Sequence, residues 1–190
     1  GMLLIGFGLL KKVALADSLA PMANEGFAAP EHLIFHQAWM TSLGYTLQLY
    51  FDFSGYTDIA IGSALLCNIK LPENFNSPYT AVNIQDFWRR WHITLSRWLR
   101  DYLYISLGGN RNGLIRGYTA LIATFILGGL WHGANWTFIL WGFLHGMAAV
   151  IHKLWQATGI RLPTALAWLL TFLFVNTALI FFRAETIDAA

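Results

Sequence analysis

Charge is what this sequence has least of. Of its 190 residues only 12% are Asp, Glu, Lys or Arg, while 56% are hydrophobic. Soluble domains carry roughly 25% charged residues, so lipid suits this chain better than water as a solvent. Cysteine is nearly absent too. The single Cys67 excludes an intrachain disulfide and a cysteine metal cluster; set in an apolar stretch, it is expected to be a core thiol. Histidine clusters of the di-iron membrane type are missing. His32 and His36 lie beside a loop, and His145 and His152, seven apart on one helix face, lack a third ligand. There is no internal repeat or low-complexity tract, and no metal or nucleic-acid partner is expected.

What is present is long apolar sequence. Gly117 to His152 runs 36 residues without an acidic or basic side chain, and Leu162 to Phe182 runs 21. A helix needs about 20 apolar residues to cross a bilayer, so the second run fits one crossing. The first would span about 54 Å as a single helix and is expected to form a partly re-entrant hairpin, with the Lys153–Arg161 end cytoplasmic. The opening "GMLLIGFGLLKKVALAD" is no signal peptide, because its lysines follow the apolar run instead of preceding it. It reads as a helix ending at a membrane face. Further helices are expected near 34–68, broken around "FDFSGYTD", and over 84–106, capped by Asn83 and ended by Gly108-Gly109. Three more are expected near 114–131, 134–154 and 163–182. The fold class is all-α, a polytopic membrane protein. The chain end "FFRAETIDAA" has no terminating feature, and a piece of a longer chain is expected.

Positive charge concentrates in "FWRRWHITLSRWLRDYLYISLGGNR", residues 87–111. Wound as one helix, residues 87–103 place Trp88, Trp91, His92, Leu95, Trp98, Leu99, Tyr102 and Leu103 on one arc, with Arg89, Arg90, Arg97 and Arg100 on another. Such arginines suit lipid headgroups at a cytoplasmic face, or the phosphates of an anionic ligand. His92 lies on the apolar arc, where it needs a hydrogen-bond partner; structural and catalytic roles both fit.

A second histidine sits in "GGLWHGANW", 128–136. Sixteen residues beyond Arg116, His132 is expected about 24 Å along its helix, well inside the bilayer. Ionisable residues at that depth are functional-site candidates. Asp52 and Asp58, in "YFDFSGYTDIAIG", are suspect on the same ground. They could orient a histidine or pair with an arginine.

These two histidine-bearing stretches, together with "GLLKKVALADSLAP", "YFDFSGYTDIAIG" and "LPENFNSPY" in that order, resemble the membrane-bound O-acyltransferase superfamily. Within it they are most similar to the subgroup of the bacterial alginate O-acetyltransferase membrane subunit. The resemblance covers nearly the whole chain and implies that residues 1–190 are the central-to-late portion of a single membrane domain, a helical bundle around a channel. It implies that His132 is the catalytic histidine and His92 its partner, and that no cofactor is bound. An acyl thioester, acetyl-CoA or an acyl carrier, would be the donor substrate. Arg89, Arg90 and Arg97 would hold donor phosphates, Asn135 or His92 would stabilise an oxyanion, and Asp52 and Asp58 would assist binding. The implied partners are membrane lipid, a periplasmic acetyltransferase protein and an exopolysaccharide, and the implied place is the bacterial inner membrane. D-alanyl transfer by a relative, a transporter or channel subunit, and a purely structural subunit are the alternatives.

Overall fold

The computed structural model describes residues 1–111 and 113–190. Among them there are helices and connecting turns but no strand. The chain divides into two compact units, Gly1–Phe75 and Asn76–Asp188.

In the first unit, helical structure runs unbroken through α1 (Met2–Leu9), a π-helical stretch (Leu10–Ala16) and α2 (Asp17–Ala28), with Pro21 inside α2. A single 3-10 turn (Pro30–His32) leads into α3, Phe35–Leu66. The break expected near "FDFSGYTD" does not occur. Gly55 serves close packing instead: a Cβ there would stand 2.7 Å from the Gly8 carbonyl, and one on Gly8 2.6 Å from the Gly55 carbonyl. Small residues let two helix backbones meet where lipid offers no hydrophobic drive. The expected core thiol is also corrected, because Cys67 is exposed at the α3 C-terminus.

In the second unit, a 3-10 turn (Pro78–Thr80) precedes α4 (Ile84–Arg90), α5 (Ile93–Trp98) and a π-helical stretch (Leu99–Tyr104). The expected cap holds: Asp86 N–H donates to Asn83 Oδ1 at 2.8 Å. The single helix over 84–106 does not. The chain turns at His92, whose φ is +40°, a left-handed conformation that histidine adopts more readily than most residues. Carbonyls freed by the break find partners. Asn76 N–H donates to the Arg90 carbonyl at 3.0 Å and the Ser96 hydroxyl to the Trp91 carbonyl at 3.1 Å. The single apolar arc is lost accordingly: Trp91 and Leu99 are buried, whereas Trp98 and Tyr102 are 49% and 65% exposed.

Three helices follow, α6 (Leu114–His132), α7 (Trp136–Ala157) and α8 (Thr164–Arg183), each long and apolar enough to cross a membrane. The long uncharged run is therefore two such helices joined by three residues. α6 and α7 pack antiparallel at backbone distance. A Cβ on Gly129 would strike the Phe138 carbonyl, one on Gly142 the Phe125 carbonyl, and one on Gly146 would stand 2.9 Å from Ile122 Cα. This pairing puts Arg116 and Lys153 at one end of the hairpin and His132 at the other.

Candidate functional site

His132 is the last residue of α6, so the chain leaves the helix directly after the imidazole. Its ring is exposed on one side and boxed on the other. Phe182 meets it edge-on at 5.0 Å and 78°, Trp141 at 5.5 Å and 89°, and Phe138 lies 6.2 Å away. Asn135 begins α7. Its Oδ1 accepts from Thr137 N–H at 3.2 Å and its Nδ2 donates to the Glu185 carbonyl at 2.9 Å. The amide thus caps the helix and ties down the chain beyond α8, instead of standing free as an oxyanion donor.

His92 is half-buried at the corner between α4 and α5. It lies outside the three long apolar helices. Burial first, and the charge of His132 second, hold its pKa down at about 4. The second cause places the two imidazoles, 40 residues apart in the chain, within electrostatic reach of each other. At neutral pH His92 is uncharged, with one N–H to donate and one lone pair to accept.

Between these segments lies a core of rings on α7. Trp141 packs edge-on against both His132 and His145, the latter at 4.9 Å. Trp88 in α4 lies 5.9 Å from Trp141 and donates its indole N–H to His145 Nδ1 at 3.2 Å. His145, set aside in the sequence for want of metal partners, is 1% exposed. The signal for it was present in "WGFLHG": a histidine flanked by two glycines that bring α7 against α6 must be buried.

On the other side of Trp88 is a cavity of about 530 Å³. Arg89, Arg97, Arg100 and Lys153 line it, and among the described residues no carboxylate does. Arg89 and Arg97 make no salt bridge among the described residues, while Arg100 pairs with Asp101 at 2.7 Å. His152 also faces the cavity, its Nε2 buried without a hydrogen-bond partner. Arg90 is corrected out of this group. It pairs with Asp86 at 2.9 Å and reaches the Asn76 carbonyl at 3.4 Å, a local brace for α4. Asp52 and Asp58 belong to the first unit, where they pair with Lys12 and Lys11, each at 2.6 Å. They serve as ion-pair partners within that unit.

The fold defines an all-α, polytopic membrane protein, with three helices long and apolar enough to cross a bilayer. The chain belongs to the MBOAT, or membrane-bound O-acyltransferase, family, whose model matches residues 2–184. It is 56% identical over 194 residues to a peptidoglycan O-acetyltransferase of Helicobacter pylori, covering 100% of this chain and 37% of that protein. It is 51% identical over 189 residues to a probable alginate O-acetylase of Azotobacter vinelandii, covering 96% and 37%. Over 147 residues it is 36% identical to a teichoic acid D-alanyltransferase of Bacillus subtilis, covering 70% and 37%. The chain thus spans a little over a third of the length of each of these three relatives.

Proposed function

We propose that this chain carries the reaction centre of an O-acyltransferase in the bacterial inner membrane. It would move an acetyl group from a thioester, acetyl-CoA or an acyl carrier, to a hydroxyl serving an exported polysaccharide. His132, set at the end of α6 among Trp141 and Phe182 in a member of this family, is the observation that carries the reading.

A hydroxyl is a poor nucleophile at neutral pH. His132 takes its proton as the oxygen attacks the thioester carbonyl carbon, general-base assistance worth ~10²–10⁴-fold. The tetrahedral oxyanion then collapses, the C–S bond breaks, and the imidazolium returns the proton to the thiolate. The uncharged His92 donates its N–H to the oxyanion, a contribution of about 10²–10³-fold where such donors are preorganised. Arg89, Arg97 and Lys153 hold the donor's phosphates in the cavity. Arg116 and Lys153 sit at one end of the α6–α7 hairpin and Arg161 just before α8, which makes that end cytoplasmic by the positive-inside rule. The donor would therefore enter from the cytoplasm.

An alginate-like polymer and peptidoglycan are the two acceptors the relatives' names suggest. A periplasmic acetyltransferase partner would relay the group outward. Acetyl transfer is favoured over D-alanyl transfer by the higher identity to the proteins named for it. A proton-coupled transporter is disfavoured by the match of an acyltransferase family model to residues 2–184.

The test uses membranes containing the full-length protein, given labelled acetyl-CoA or acyl-carrier thioester. Label should appear on periplasmic polysaccharide. His132→Ala should abolish transfer with membrane insertion intact, and unchanged transfer by that variant would refute the assignment.

A further inference from the structure

We propose that His145 is a positioning residue that orients both members of the histidine pair through the two tryptophans it touches. This rests on the acyl-transfer reading and extends it to a side chain outside the pair. His145 is the largest side chain in the molecule with under 2% exposure. Its Nδ1 accepts from the N–H of Trp88, 57 residues away in sequence. An N–H aimed at Nδ1 needs a lone pair there, so the ring is neutral with its proton on Nε2.

Two lines of contact lead outward from this ring. Trp141 lies one turn earlier on α7, 4.9 Å from His145, and stands perpendicular to the His132 ring. Trp88 lies in the last turn of α4, 5.1 Å from His145 and four residues before the left-handed corner that carries His92. Trp88 and Trp141 touch each other at 5.9 Å, which closes a triangle of rings. One α7 residue thereby registers the segment bearing His92 against the segment bearing His132. An apolar ring at 145 would fill the same space but leave the Trp88 N–H without its acceptor, and a buried polar group without a partner is costly. The residue type is therefore explained by the hydrogen bond and not by packing.

The experiment measures kcat and donor KM for acyl transfer by the full-length protein in membranes. His145→Phe keeps a ring and removes the acceptor. His145→Asn restores an acceptor at the Nδ1 position, and Trp88→Phe removes the donor. We expect His145→Phe to lower kcat at least tenfold with donor KM within about twofold, and His145→Asn to recover most of the loss. The His145→Phe/Trp88→Phe double variant should be no slower than His145→Phe alone, since both changes cut one bond. If His145→Phe fails to fold, Trp88→Phe decides: a kcat loss supports the proposal and a wild-type kcat overturns it. An undiminished kcat for folded His145→Phe, or no recovery by Asn, also overturns it. His132→Ala is run in parallel. If that variant is inactive while His145→Phe keeps full kcat, only the positioning role fails. If His132→Ala retains full activity, the acyl-transfer reading fails and takes this proposal with it.

Discussion

Lys11 Nζ stands 2.6 Å from the Asp58 carboxylate, although the two residues are 47 apart in the chain. Both are only part-exposed, at 30% and 23% of the side chain. The contact joins the π-helical stretch after α1 to α3. Asp58→Ala should lower stability by about 1–2 kcal/mol, between the values for exposed and buried pairs. The Lys11→Ala/Asp58→Ala double variant should lose less than the sum of the singles. Thermal melts of detergent-solubilised protein measure both, and simple additivity would show that the pair does not couple.

The cavity arginines should affect donor binding more than turnover. Arg89→Gln and Arg97→Gln should each raise donor KM by about tenfold, the effect of losing one charge-assisted hydrogen bond. Rising ionic strength should weaken wild-type donor binding in the same direction. Arg90→Gln should leave donor KM alone and lower stability, because Arg90 braces Asp86 and the Asn76 carbonyl. Steady-state kinetics in vesicles check this. Equal KM shifts for all three variants would argue against the cavity as the donor site.

His92 should make the protein less stable as pH is lowered. Its folded pKa is about 4, against roughly 6.5 when unfolded. Below about 6.5 the unfolded chain takes up a proton that the folded chain refuses until about pH 4. The contribution is complete above 6.5 and is lost as pH falls through that window. His92→Gln lacks this component, so its melting temperature should drop less than that of wild type between pH 7 and pH 4.5. Parallel curves for the two proteins would contradict the assignment.

Close helix packing predicts opposite outcomes at two glycines. Gly129→Ala would drive a Cβ into the Phe138 carbonyl and should cost about 1–3 kcal/mol. At Gly6, a Cβ meets nothing within 4 Å, and Gly6→Ala should stabilise α1 by about 0.5–1 kcal/mol. Melting temperatures of the two variants should move in opposite directions.

The sequence showed some parts of this architecture and hid others for identifiable reasons. The three apolar helices were visible because scarcity of charge over about 20 residues is a one-dimensional signal. The Asn83 cap was visible because capping is local. The corner at His92 was hidden. Residues 84–106 carry strong helical periodicity, and the break is set by partners from outside the segment or beyond the corner, the Asn76 N–H and the Ser96 hydroxyl. Gly55 is ambiguous in sequence, since a glycine that admits another backbone looks the same there as one that bends its own. Asp52 and Asp58 were visible as unusual, but their lysine partners could be assigned only in three dimensions. The acceptor role of His145 depends on an indole 57 residues away, which spacing along the chain does not reveal.

The three-residue connection from α6 to α7 also bears on how the protein is made. Gly133, Ala134 and Asn135 join two helices whose contacting residues lie only 9 to 24 positions apart, from the Gly129–Phe138 pair to the Ile122–Gly146 pair. Such near-neighbour contacts form early and quickly. The tip of the hairpin has little polar cargo to carry across a bilayer beyond His132 and Asn135. Both helices can therefore enter lipid as one preassembled unit during synthesis. His132 would then reach its place at the leading tip of that unit, before α8 has emerged to supply Phe182.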